Sequence, residues 1–302
     1  MHRTVLPILS RLICLWILLV TITGCSRTDM LYGNADWLLN RWAIGLLDPD
    51  SEQADAWQLI MQQAMQTHER ELLPQVVVLL NSAERVAGDG LEPAELACWS
   101  GAFEQLYLAH AKWAVNPASE VLSDLSAAQI DHLAAELRER NQEYRDAYLD
   151  EDPERRRQER LERYVERIER WTGDLSGVQL RMVEQIVADM PDVAASWLAY
   201  REQRQQELLA LLRSKPDRAA LQDYLAGWWV QLEDRPVSLV EDAKALRVAS
   251  LDLVLRLDAL LTASQRANFL DKVADLRGDL ERRIGGSVPL LEAGAAKWPC
   301  VG

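Results

Sequence analysis

The chain of 302 residues has two phenylalanines, four cysteines, 14 glycines and 11 prolines, all low for its length. Scarce glycine and proline argue against collagenous or low-complexity architecture. Few runs are rich in Val, Ile and Thr, and none alternates polar with apolar residues for long, so little material exists for a sheet. No apolar run reaches the roughly 20 residues of a membrane helix. The clearest, Leu12 to Ile22, stops at Thr23-Gly24-Cys25-Ser26. Positive charge is also short: 33 Lys and Arg stand against 47 Asp and Glu, for a formal charge of −14. That sign does not suit nucleic acid, whose binding rests on counterion release by Lys and Arg. It also disfavours lying flat on anionic lipid.

Chemistry-bearing patterns are missing as well. There is no His-Glu-x-x-His, Cys-x-x-Cys, Gly-x-Ser-x-Gly or glycine-rich phosphate loop, and the "GDG" at Gly88 reads as a turn. A di-metal helical bundle uses Glu-x-x-His, but Met65, Tyr107 and Gln129 stand three residues before His68, His110 and His132. His132 and Glu136 are spaced for a surface pair. Carboxylates are too abundant for any two to be singled out. No catalytic residue, metal site or cofactor is expected, apart from covalent lipid.

What is present begins with an export signal. Arg3 and Arg11 precede the apolar run, and no acid occurs before Asp29. Run length and flanks fit a signal peptide better than a permanent span. The tetrapeptide Ile22-Thr23-Gly24-Cys25 resembles the lipobox of bacterial lipoproteins. That resemblance implies cleavage by signal peptidase II between Gly24 and Cys25, diacylglycerol on the Cys25 thiol and acylation of the new amino terminus. Two or more acyl chains hold a protein stably where one does so only marginally. Ser26, in place of Asp, resembles lipoproteins sorted to the outer membrane, here facing the periplasm. Loss of residues 1–24 removes two arginines and no acid, taking the formal charge to −16. Cys98, in "LACWSGAF", reads as a small buried hydrophobe, and its pairing with Cys300 is left open.

The rest reads as all-α, an elongated antiparallel multi-helix body. The expected organisation is a signal peptide (1–24), a lipidated tether (25–36), a helical body (37–285) and an irregular tail (286–302). A helical region from Ser51 to Val86 is broken by Pro74. "AGDGLEP" makes a turn, a helix runs from Ala94 to Val115, and Asn116-Pro117 starts another short segment. Ile130, Leu133, Leu137, Tyr144 and Tyr148 share one helix face. Asp152-Pro153-Glu154 restarts a helix with a cap, a proline and an acid; that helix carries Leu161, Tyr164, Ile168 and Trp171. Further stripes are Leu180, Val183, Val187 and Met190; Leu246, Leu253, Leu257 and Leu260; and Phe269, Val273, Leu276, Leu280 and Ile284.

One punctuation recurs: Leu125-Ser126-x-x-Gln129, Leu175-Ser176-x-x-Gln179 and Leu261-Thr262-x-x-Gln265, with a weaker copy in Asp50 to Gln53. Each is a capping box, in which the hydroxyl serves the N3 amide and the Gln side chain serves the cap's own N–H. The leading leucine can staple onto N4, which is Ile130, Leu180 or Arg266, the last making a weaker staple. Repeated L-[ST]-x-x-Q motifs in an exported helical protein resemble the Spy/CpxP group, small helical periplasmic proteins of which some act as ATP-independent chaperones. The order "LYGNADWLLNRW", then the block from Leu125 to Gln179, then "LTASQRANFLDKV", resembles the DUF6279 family of proteobacterial lipoproteins, whose function is unknown. The family opening reads nearer to Tyr-Asn-Arg-Leu-Asp-Trp, against Tyr32-Gly33-Asn34-Ala35-Asp36-Trp37 here.

Two features suggest a surface for partners. Between Glu136 and Arg170 acids interleave with arginines, including Arg155, Arg156 and Arg157; the pattern fits a solvated face laced with ion pairs, or one that holds extended partners loosely. Trp228 and Trp229, adjacent on a helix, point different ways, so one ring is expected to be exposed. The function expected is a lipid-anchored lipoprotein that binds rather than catalyses, chaperone-like or scaffolding for unfolded or envelope proteins. The alternatives are a purely structural envelope component and an enzyme whose site is not recognisable.

Overall fold

The computed structural model describes residues 35–149 and 152–285. Residues 1–34, where the signal segment, the cleavage site at Gly24, the lipidation of Cys25 and most of the tether were expected, and residues 286–302, with Cys300 and the expected irregular tail, lie outside them. Among the described residues there are eleven α-helices and one π-helical turn, with no strand. They are α1 (Ala35–Leu47), α2 (Ser51–Glu71), α3 (Leu73–Gly88), α4 (Pro93–Leu122), α5 (Ala127–Tyr148) and α6 (Pro153–Thr172). There follow α7 (Gly177–Asp189), α8 (Ala194–Arg213), α9 (Arg218–Ala226), the π-turn (Gly227–Gln231), α10 (Val237–Leu260) and α11 (Ala263–Arg283). The protein is all-α. None of the described helices is long and apolar enough to cross a membrane.

Local chemistry sets most boundaries. Pro74 falls in the first turn of α3, where a missing N–H costs nothing, so the chain breaks at Leu72 between α2 and α3. Asp152 caps α6 by accepting the Glu154 N–H at 3.0 Å, with Pro153 as the first helical residue. Gly173 ends α6 at a φ of +84°, and a Cβ there would approach the Asn268 amide nitrogen to 3.1 Å.

Pro117 does not start a new segment, because α4 runs through it to Leu122. Proline removes the N–H that would serve the carbonyl of Trp113. Continuing the helix nevertheless buries Val115, Ser119 and Val121, and α4 packs on α2 and α9. The Ser119 hydroxyl donates to the Asn116 carbonyl at 2.8 Å, which ties the turn around the proline. Burial outweighs the lost bond.

Two main cores result. The first gathers Leu46 and Leu47 of α1, Trp57 of α2, Val115 and Val121 of α4, Ile130 and Leu133 of α5, Leu208 and Leu212 of α8, and Leu221 and Leu225 of α9. The second gathers Leu175, Val183, Ile186, Val187, Met190, Leu253 and Leu257, flanked by Leu161, Tyr164, Val165 and Ile168 of α6. Three members of the expected stripes stay outside: Tyr148 is 38%, Leu180 37% and Leu260 40% exposed. Helix α3 joins the halves, with Leu73 and Val77 on Leu280 of α11 and Leu79 on Ala102 and Leu106 of α4. Arg277 of α11 reinforces that contact through Glu84 of α3 at 2.7 Å.

Cys98 departs from its reading as a buried hydrophobe. It is half-buried and disulfide-bonded, and its partner falls outside the described residues. His132 does not pair with Glu136; its Nε2 lies 3.2 Å from the Gly45 carbonyl, tying α5 to α1.

Helix α2 places His68 in the interior, its ring centroid 5.0 Å from that of His110 and 4.9 Å from that of Trp113. Burial, with His110 as a second cause, lowers its pKa from 6.5 to about 4. As pH falls through that window the unfolded chain takes up the proton first, so stability is lost between those two values. Urea midpoints should drop on acidification by the equivalent of about 2 kcal/mol, and His68→Gln should flatten that slope. An unchanged slope in the variant would assign the acid sensitivity elsewhere.

Candidate functional site

The repeated capping motifs occupy the places expected of them. Ser126, Ser176, Thr262 and Asp50 are the N-caps of α5, α7, α11 and α2, and each accepts the N–H of the glutamine three residues on. The structure adds what no single motif discloses: the glutamines meet in pairs. Gln53 faces Gln129 and Gln179 faces Gln265, each pair exchanging amide hydrogen bonds in both directions. The distances are 3.4 and 2.7 Å in the first pair and 2.8 and 3.1 Å in the second.

Every hydrogen-bonding position of the four amides is filled. Each Oε1 also accepts the N–H of its own cap, at 2.8 to 3.3 Å. Each remaining Nε2 hydrogen goes to the carbonyl two residues before the partner's cap. Gln53 donates to Asp124 O at 3.0 Å and Gln129 to Asp48 O at 3.2 Å. Gln179 donates to Leu260 O at 2.9 Å and Gln265 to Asp174 O at 2.8 Å. The first clasp locks the α1–α2 turn to the α4–α5 turn. The second locks α6–α7 to α10–α11, and there Gln179 is 2% exposed. Of the leading leucines, Leu125 packs on the first core, Leu175 lies within the second, and Leu261 packs against the second. The staple onto Leu180 is absent from that core, since Leu180 faces outward.

The proposed partner surface is redrawn. Neither Trp228 nor Trp229 is exposed; both are half-buried against the first core, with ring centroids 6.2 Å apart. The cause is the π-turn, closed by the Glu233 N–H on the Gly227 carbonyl at 2.9 Å. Buried Arg204 braces the following loop through Asp234 at 2.8 Å and lies 4.6 Å over the Tyr224 ring. Arg155, Arg156 and Arg157 lie in the first turn of α6, apart from these rings in sequence and core. Arg156 is 3.5 Å from Asp192 and Arg157 2.9 Å from Glu154, so this stretch carries ion pairs of the ordinary surface kind.

A different place has the character of a site. An apolar cavity of about 220 Å³ opens where α3, α4, α6, α10 and α11 converge. Trp99, Trp171 and Phe269 supply aromatic walls, and Val86, Leu91, Leu96, Ile168, Val254 and Leu257 the aliphatic ones. Trp171 and Phe269 lie 6.1 Å apart, tilted by 54°. At the edge Arg266 bridges Asp258 at 2.7 Å and the Ala87 carbonyl at 2.5 Å, while Asp258 accepts the Leu91 N–H at 2.9 Å. An apolar cavity of about 150 Å³ stays dry and binds benzene, so this one has room for an aromatic ring or a branched aliphatic side chain. Trp99 also stacks on Phe103 (5.9 Å, 19°), which is 54% exposed, as is Tyr107 one turn further along α4. An aromatic track therefore leads from the cavity wall to the surface. Trp171 and Phe269 belonged to recognised stripes; Trp99, Phe103 and Tyr107 gave the i, i+4, i+8 signal that finds them.

Among the described residues no group of three or more His, Cys, Asp and Glu is placed to hold a metal ion. The described fold is a set of helical hairpins fastened by these two clasps. A family model matches residues 45–229, and the chain belongs to that family, DUF6279, described as a family of unknown function. The match spans the first clasp, the charged helix α6 and Gln179; the opening "LYGNADWLLNRW" and the motif at Leu261 lie beyond it. No curated protein and no solved structure matches.

The clasps are testable. Gln179→Ala removes one cap contact and strands its partners in a buried site, which should cost about 3 kcal/mol in denaturant unfolding. Gln53→Ala, at a more exposed clasp, should cost about 1 kcal/mol. The double variant Gln179→Ala/Gln265→Ala should cost less than the sum, because both remove the same bonds. Strict additivity would contradict the reciprocal geometry.

Proposed function

We propose that this protein is a lipid-anchored component of the bacterial envelope that acts by binding rather than by catalysis, receiving apolar side chains of unfolded or assembling envelope proteins as a chaperone or scaffold would. Lipid on Cys25 tethers it to the outer membrane on the periplasmic side, and that lipid is its only non-protein group. The observation that carries the reading is Trp99, at once a wall of the 220 Å³ cavity and the first ring of the exposed track through Phe103 and Tyr107. Exposed aromatics beside a concave apolar pocket are the common anchors of protein association. The surface around them carries mixed charge in ion pairs such as that of Glu104, on the same helix α4, with Arg247 of α10 at 2.5 Å, which suits loose, reversible capture.

The test uses residues 26–302, free of the anchor, added without ATP to an aggregating unfolded client and followed by light scattering against an inert acidic protein. Suppression is expected near equal stoichiometry. Phe103→Ser/Tyr107→Ser, on exposed positions that leave the fold intact, should weaken it roughly threefold. Absence of suppression across several clients sinks the reading and leaves a structural envelope component.

A further inference from the structure

Helix α1 carries apolar side chains on both of its faces. Asn40, Ala43, Leu46 and Leu47 are buried on the side that meets α2 and α5. The rest of its circumference is exposed: Trp37 and Trp42, 52% and 54% exposed, flank that arc about 140° apart, with Leu38 and Ile44 at 39% each. A helix apolar all round normally lies inside a protein or in lipid, and this one faces outward. Each tryptophan has a guanidinium over its ring: Arg41 lies 5.7 Å from Trp37, and Arg140 of α5 lies 5.3 Å from Trp42. Trp with flanking cations on an apolar face is the composition of a helix seated at a membrane interface.

The position in the chain selects the occupant. Nine residues separate Cys25 from Ala35, so at full extension α1 starts within about 30–35 Å of the anchor. We propose that the outer face of α1 lies in the headgroup region of the bilayer that holds the Cys25 lipid, with Trp37 and Trp42 as the inserted rings. This rests on the lipid-anchor reading and deepens it: the anchor supplies attachment, and α1 fixes which side of the molecule faces the membrane. The acidic body is turned away from the surface, and the ligand is neutral, zwitterionic phospholipid.

The experiment takes the processed full chain from cell membranes, reconstitutes it in zwitterionic phospholipid vesicles and measures tryptophan quenching by phospholipids brominated high on the acyl chain. Mass spectrometry of the amino-terminal peptide reports separately whether Cys25 carries lipid. Ten tryptophans remain after residue 24, and Trp37→Phe/Trp42→Phe removes two of them while keeping the face apolar. The quenchable component should fall at least roughly threefold in the variant. Lipid on Cys25 with equal quenching in both proteins, or none, overturns the proposal and leaves the anchor standing. Quenching confined to the wild type without lipid on Cys25 supports the membrane face and overturns the anchor. Trp37 and Trp42 shielded instead by a second copy would appear as a dimer with no quenching, which also overturns the proposal.

Discussion

The architecture depends on an amide facing an amide. A glutamine at N3 serves its own helix by accepting the cap's N–H, and that task leaves both Nε2 hydrogens unspent. Two such glutamines, brought together at the turns of two hairpins, use each other and each other's backbone to complete the set. A glutamate would cap as well but has no hydrogen to offer, and two would set carboxylates face to face. An asparagine is one methylene shorter. The result joins turns 76 and 86 residues apart in sequence, and the two cores lie with the hairpins that these joints fasten.

The cavity borders one imperfect copy of this device. In α5 the N4 residue is Ile130, which shares a core with Leu125 and completes the staple. In α11 the same position holds Arg266, which turns to Asp258 and the Ala87 carbonyl. Leu261 packs on the second core and also borders the cavity. Trp171 and Phe269 wall that space without filling it, and Trp99 carries its apolar character outward.

Much of the helical plan was legible because it is written locally. Caps, the first-turn prolines at 74 and 153, and the 3.6-residue stripes each act within one turn of chain. The missed features depend on partners distant in sequence. Pro117 stays helical because of what α9 offers across the core. Trp228 and Trp229 are both covered because Arg204 and the Gly227 carbonyl hold a π-turn that periodicity does not encode. Glutamine pairing was invisible for the same reason: four equivalent motifs have three possible pairings, and only packing chooses among them. The cavity is harder still, since five helices each contribute a few half-covered side chains.

The two clasps differ in one respect with wider consequences. Glutamines, hydroxyl caps and backbone carbonyls make up the second, with no ionisable atom in it. The first is capped by the Asp50 carboxylate and includes a bond from Gln53 to the Asp124 carboxylate at 3.2 Å. His68, whose neutral form is favoured by burial, lies on α2, the helix that the first clasp caps. The molecule is thus built asymmetrically toward its medium. One clasp is made of neutral groups alone, and the other caps the helix whose buried His68 must charge in acid, so acidification acts on the molecule from the side of α2.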